Sequence, residues 1–79
     1  MSDSIEATVQ KLITGGHGPF AVARSNDERG LNITFSLFST VWQEKTLPEP
    51  GSIVILSELS SKRAGWRAGK SRFKKPSDL

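Results

Sequence analysis

The stretch "LNITFSLFS", residues 31–39, alternates apolar and polar side chains in the manner of a β-strand that packs one face against a core. Its apolar face carries Leu31, Ile33, Phe35 and Leu37. Its other face carries Asn32, Thr34, Ser36 and Phe38. The first face is therefore expected in the core, and the second is free to meet solvent or a ligand.

Four more short segments around this stretch have strand character. "FAVARS" (20–25) precedes it, joined by the turn sequence "NDERG" (26–30), and the nearly all-apolar "SIVILSEL" (52–59) and "WRAGKSRF" (66–73) follow it. Short strands separated by regular turn signals predict a small five-stranded antiparallel β-barrel, which leaves no open sheet edge. The residues expected in its core are Val9, Val22, Ile33, Phe35, Leu37, Val54 and Leu56.

The first of the five segments, "IEATVQKLIT" (5–14), fits two patterns. Its apolar residues fall at helical spacing, but Ile5, Ala7 and Val9 alternate, and β-branched residues are frequent. The composition favours a strand, with a helix as the alternative. "GGHGP" (15–19), with three glycines and a proline, is a turn.

The connection "TVWQEKTLPEPG" (40–51) contains two prolines before Gly51, which argues against a long helix and for a loop with at most one helical turn. Trp42 within it is expected to join Phe35 in the core.

The chain of 79 residues is long enough for one small domain and lacks cysteine, so disulfides and thiolate metal sites are excluded. The acidic start and the lack of a long apolar run predict a soluble, cytoplasmic protein without a membrane span. We also expect the protein to be a monomer. The expected organisation is a disordered N-terminus (1–4), a barrel domain (5–73) and a flexible basic tail (74–79).

The charges are segregated along the chain. Residues 1–61 carry a net charge of −3, whereas residues 62–79 carry +6. Such asymmetry indicates a polyanionic partner, and a solvated tail that aids solubility is the alternative.

Within this basic part, "AGWRAGKS" (64–71) has the outline of a nucleotide-binding P-loop. A P-loop needs a following helix and a second strand with an acidic metal ligand, and only eight residues including Pro76 remain. ATP binding is therefore not expected.

Trp66 lies among the cations of this stretch, and two orientations are open. In a regular strand it would share a face with Ala68, Lys70 and Arg72, and because unpaired charges are costly to bury, this face would point outward. A bulge at Gly69 would instead turn Trp66 into the barrel.

The sequence offers no set of residues for catalysis or for a cofactor. His17 is the only histidine and has no cysteine to pair with, so neither a metal site nor a Cys/His pair is expected. No carboxylates are expected to converge in a pocket. The chain is therefore predicted not to be an enzyme.

The order of parts resembles the cold-shock domain and related oligonucleotide-binding (OB) barrels. "IEATVQKLITGGHGPFAVARSND" is similar to the first hairpin of that family, "LNITFSLFS" to its third strand, and "PEPGSIVILSELSSKRAGWRA" to the part that closes the barrel. The resemblance covers residues 5–73 and rests on spacing and turn chemistry. It implies an OB-like barrel that binds nucleic acid.

The sequence departs from the family in its aromatic residues. The second strand of the family displays several, whereas this chain has only Phe20, and Thr34 and Ser36 stand where aromatic residues and histidine are usual. The stacking role implied by the resemblance therefore transfers to Phe20 and, more weakly, to Phe38.

These observations predict a protein that binds single-stranded nucleic acid, RNA in preference to DNA, with little direct readout of sequence. Bases would stack on Phe20, Trp66 and Phe38, with His17 and Arg24 nearby. Phosphates would contact Lys62, Arg63, Arg67, Lys70, Arg72, Lys74 and Lys75. The alternative is an interaction barrel that docks an acidic protein through its basic end, with Trp66 as an anchor.

Overall fold

Five strands account for the fold of this protein, for which a computed structural model describes residues 4–14, 18–63 and 65–75. They are β1 (Ile5–Ile13), β2 (Phe20–Ser25), β3 (Asn32–Ser36), β4 (Ile53–Lys62) and β5 (Gly65–Phe73). They form a closed barrel in the order β1-β2-β3-β5-β4. The predicted five-stranded barrel is thus confirmed, and residues 5–13 form a strand and not a helix.

One junction of the barrel differs from the expected antiparallel arrangement. Strands β3 and β5 run parallel and pair only through Ile33 with Trp66 and Thr34 with Arg67. The other four junctions are antiparallel. The reason is geometric: direction cannot alternate all the way around a closed ring with an odd number of strands, so one junction must be parallel.

A β-bulge in β1 explains why its sequence fitted two patterns. Val9 pairs with Ala23 and Lys11 with Val22, which leaves Gln10 as an extra residue. The bulge reverses the alternation, so that the inward residues are Ile5, Ala7 and Val9 before it and Leu12 after it. Strand alternation and helical spacing are therefore both present in one extended segment.

The core contains the residues predicted for it, with the exception of Val22. Its buried apolar residues are Ala7, Val9, Ala21, Ala23, Ile33, Phe35, Leu37, Trp42, Val54, Leu56 and Ala68. In β2 the two alanines face inward, opposite Phe35 and Ile33 of β3. Val22 lies on the outer face with Arg24, because a strand that buried Val22 would also bury that charge.

Aromatic rings close one part of the core. Phe35 stacks on Trp42 with 5.8 Å between ring centroids, and Trp42 meets Phe73 edge-on at 4.9 Å. The Trp42 indole N–H donates to the Thr46 carbonyl at 2.9 Å. Trp42 reaches this position through a single turn, in which its backbone N–H bonds to the Phe38 carbonyl, as predicted for the connection.

Replacing Phe35 with alanine should lower the free energy of unfolding by about 3–5 kcal/mol, because the ring is fully buried and stacked. Urea denaturation followed by circular dichroism measures this change. Phe38→Ala is the matched control: its ring is 53% exposed, and we expect a decrease below about 1 kcal/mol. Equal decreases in the two variants would contradict the assigned core.

Candidate functional site

The outer face of β2 and β3 presents a band of side chains framed by cations. Since the alanines of β2 and the large apolar residues of β3 face inward, the alternate residues face outward. These are Phe20, Val22 and Arg24 on β2, and Asn32, Thr34 and Ser36 on β3. Cross-strand pairing extends the middle row of the band in both directions, from Lys11 through Val22 and Thr34 to Arg67.

A groove of about 370 Å³ lies at one end of this band. The residues that line it come from the β1–β2 loop and from three strands: Gly18, Pro19, Phe20, Thr34, Phe35, Ser36 and Arg67. The last β3–β5 pair is Thr34 with Arg67, after which β5 pairs with Trp42 of the connection through Ser71. The groove therefore opens where β3 and β5 separate.

Phe38 lies at the rim of the groove, against the β1–β2 loop. A Cβ atom added to Gly18 would lie 2.7 Å from the Phe38 ring, so the ring rests directly on the glycine backbone. Gly18 also has a φ of +100°, which side chains rarely adopt. The backbone N–H of Phe38 donates to the Ser36 hydroxyl at 3.1 Å, which fixes the start of the connection.

Several cations on and beside the band lack a partner. Among the described residues, no hydrogen bond or ion pair involves the side chains of Lys11, Arg24, Lys62, Arg63 or Arg67. Lys62 pairs with Gly65 in the β4–β5 ladder, next to the start of the β3–β5 junction. Strands β2 and β3 contain no acidic residue, so their outer face is positive.

The remaining cations of the basic stretch are engaged in contacts within the protein. The Lys70 ammonium bonds to the Thr40 carbonyl at 3.4 Å, and the Arg72 guanidinium to the Phe73 carbonyl at 3.3 Å. Lys74 forms an ion pair with Glu6 of β1, and its backbone N–H bonds to Ile53. Lys75 is exposed beside it. The structure thus divides the predicted phosphate-binding residues into those that, in the described part of the chain, make an intramolecular contact and those that do not.

Trp66 is partly buried and packs against the core. It lies on the inward face with Ala68, which is 1% exposed, so the expected shared face of Ala68, Lys70 and Arg72 is wrong. Ala68 and Ser71 are both buried although they are three residues apart, which means that the alternation shifts between them. Of the two orientations left open by the sequence, the inward one is observed.

The irregularity lies beside Gly69, where β4 is distorted as well. Glu58 has a φ of +54°, and a Cβ atom on Gly69 would lie 3.1 Å from its Cβ. The glycine therefore permits the close approach of β4 and β5 at the point where the alternation changes.

Other predicted features fall outside the described residues or are not found in them. His17, residues 1–3 and residues 76–79 of the expected tail are not described. In the described ranges no three His, Asp or Glu side chains are grouped to hold a metal ion. No helix within those ranges is long and apolar enough to cross a bilayer.

Lys11 is the residue of the band that the sequence analysis missed. It lies in the first strand, far from the basic stretch, and without the bulge at Gln10 it would face the core. Its partner Val22 is one of the residues that the sequence predicts in the core. Only the pairing register identifies the two as neighbours on the outer face.

No protein-family model matches this chain, and neither the curated proteins nor the solved structures give a significant match.

Hydrogen bonds from the Lys74 ammonium and, to a smaller extent, from the Asn26 amide hold the pKa of Glu6 below its ordinary value. A carboxyl whose pKa is lowered in the folded state stabilises that state above the pKa of the unfolded chain, and the contribution disappears as the pH falls through the folded pKa. Glu6→Gln should therefore reduce stability at neutral pH, and its difference from the wild type should vanish as the pH drops below about 4.

Denaturant melts at a series of pH values measure this difference. Glu28→Gln, which removes an exposed charge from the turn at 26–30, controls for the change in net charge. A Glu6→Gln variant with the wild-type pH profile would contradict a role of the ion pair in stability.

Trp66→Ala should lower the free energy of unfolding by about 1–3 kcal/mol, somewhat less than for a fully buried ring, because Trp66 is only partly buried. Trp66→Phe should lower the free energy of unfolding by less than half as much as Trp66→Ala. Circular dichroism in urea measures both variants without depending on tryptophan emission. Unchanged stability of Trp66→Ala would place the ring in solvent.

Proposed function

We propose that this protein binds single-stranded nucleic acid, RNA in preference to DNA, on the outer face of β2, β3 and the start of β5. The observation that carries the proposal is the groove beside Phe20, on a face with unpaired cations and no acidic residue in β2 or β3. A polyanion with flat, apolar bases complements such a surface in both charge and shape.

The strand arrangement supports the choice of ligand by analogy. The order β1-β2-β3-β5-β4 with closure onto β1 is compatible with the OB-like barrel that the sequence resembles. OB barrels bind oligonucleotides over strands 2 and 3 and over the loops that join strands 1 to 2 and 4 to 5. The groove lies against the corresponding strands and the β1–β2 loop, and Arg63 lies in the β4–β5 turn.

Stacking would take place on Phe20, with Phe38 at the rim. Phe20 is partly exposed within the groove, so a base can cover its ring without rearrangement of the core. A stacked base contributes about 1–3 kcal/mol to single-strand binding. Trp66 is not assigned this role, since it packs against the core.

Phosphates would contact the unpaired cations around the band: Lys11, Arg24, Lys62 and Arg63. A cation without an intramolecular partner can neutralise a phosphate without first breaking an existing contact. Lys70 and Lys74 would have to give up the contacts that they make in the free protein. The proposed role is binding without catalysis, and the absence of cysteine is compatible with the reducing cytoplasm.

Titration with a fluorescently labelled uridine-rich oligonucleotide at several salt concentrations tests this function. Lys11→Ala and Arg24→Ala should each weaken binding and flatten the dependence of log affinity on log salt, by about 0.7 for each phosphate that the protein no longer neutralises. Phe20→Ala should weaken binding by a stacking contribution of about 1–3 kcal/mol and leave the salt slope unchanged.

Lys70→Ala is the matched control, because this cation belongs to the same basic stretch but already bonds to the Thr40 carbonyl and does not line the groove. We expect its affinity to stay near that of the wild type. If the protein bound no oligonucleotide at low salt, the proposal would be refuted, and an acidic protein partner would become the leading candidate.

A further inference from the structure

The polar side chains that line the groove are rich in hydrogen-bond donors. Arg67 carries five N–H groups and has no acceptor. The Ser36 hydroxyl oxygen already accepts the Phe38 N–H, so its own proton is available to a ligand. The Thr34 hydroxyl lies on the same face, and no carboxylate of the described residues lines the groove. A ligand edge with adjacent acceptors would therefore be favoured.

The register of the strands sets the direction of that edge. Phe20 pairs with Ser36 on β3, and Thr34 pairs with Arg67 on β5, so β3 separates the ring from the guanidinium. Two strand spacings across the sheet and the two-residue offset from Ser36 to Thr34 along it place their Cα atoms roughly 12 Å apart. A base that lies flat on Phe20 would then direct one edge toward Thr34 and Arg67. A two-ring purine covers this distance better than a pyrimidine.

Arg67 is free to contact such a base. Within the described ranges its side chain makes no hydrogen bond or ion pair. The Arg67 side chain is also exposed. Because Arg67 pairs with Thr34 across the β3–β5 junction, its planar guanidinium can turn into the groove. The cations around the rest of the band are available for the phosphates.

We propose that the groove selects one guanine, stacked on Phe20, with its N7 and O6 atoms facing Arg67. This inference rests on the proposed nucleic-acid binding and names the base that the site prefers. Guanine presents two adjacent acceptors on this edge, which match the two parallel N–H groups of arginine. Adenine places its N6 amino group where guanine has O6, and that donor would face the donors of Arg67.

The test uses short uridine oligonucleotides with one central base replaced by guanine, hypoxanthine (as inosine), 7-deazaguanine or adenine. Guanine and hypoxanthine share the N7 and O6 acceptors, and both should bind at least about fivefold more tightly than adenine. 7-Deazaguanine lacks the N7 acceptor and should lose most of this advantage. These four probes separate edge recognition from stacking, because all four are purine-sized.

The matched variants change the shape of the cation but keep its charge. In Arg67→Lys the affinity for the guanine oligonucleotide should fall to within about twofold of that for the adenine oligonucleotide, since an ammonium cannot form the bidentate contact. Arg24→Lys, on the same face but not in the lining of the groove, should keep the full preference for guanine. The circular dichroism spectra of both variants should match that of the wild type.

Equal affinity for all four oligonucleotides would overturn the guanine site and leave the proposed function intact. Full affinity for 7-deazaguanine, or an unchanged preference in Arg67→Lys, would also overturn it. Failure to bind any of the oligonucleotides at low salt would instead refute the nucleic-acid function itself.

Discussion

The closure of five strands into a ring is the constraint on which this structure depends. Because direction cannot alternate around an odd number of strands, β3 meets β5 in parallel, through two residue pairs. Beyond Arg67, β5 leaves β3 and continues along β4 and the turn at Trp42. The groove occupies the space left by this separation, so the site and the closure of the barrel have the same geometric origin.

The barrel also sorts cations that are close together in the sequence. Lys74 holds the C-terminal end of the described chain to β1 through Glu6, and Lys70 contacts the β3–β4 connection. Arg67, three residues before Lys70, lines the groove and makes no such contact with the described residues. A contiguous basic stretch thus contains residues with separate tasks, some structural and some available to a ligand.

How far the sequence predicts the structure depends on the regularity of each strand. The alternation in β3 is unbroken, and its core face was predicted correctly, as were Phe35 and Trp42 in the core.

Each miss involves a strand whose alternation is irregular or competes with charge. The bulge at Gln10 hid Lys11, the shift near Gly69 could be named only as an alternative and so left the orientation of Trp66 open, and the charge of Arg24 placed Val22 outside. The groove itself was beyond prediction, because it depends on where two strands distant in sequence separate.

The parallel junction also has a consequence for folding kinetics. Strands β1 to β3 form one unit of neighbouring hairpins, and β4 and β5 form another, so most pairing within each unit is local. The two units join only at the β1–β4 and β3–β5 junctions, whose partners are distant along the chain and are expected to meet late, after the hairpins have formed. A ligand in the groove would contact both β3 and β5 and so stabilise this late-forming junction. A bound ligand would then slow the opening of the barrel and change the rate at which it closes much less.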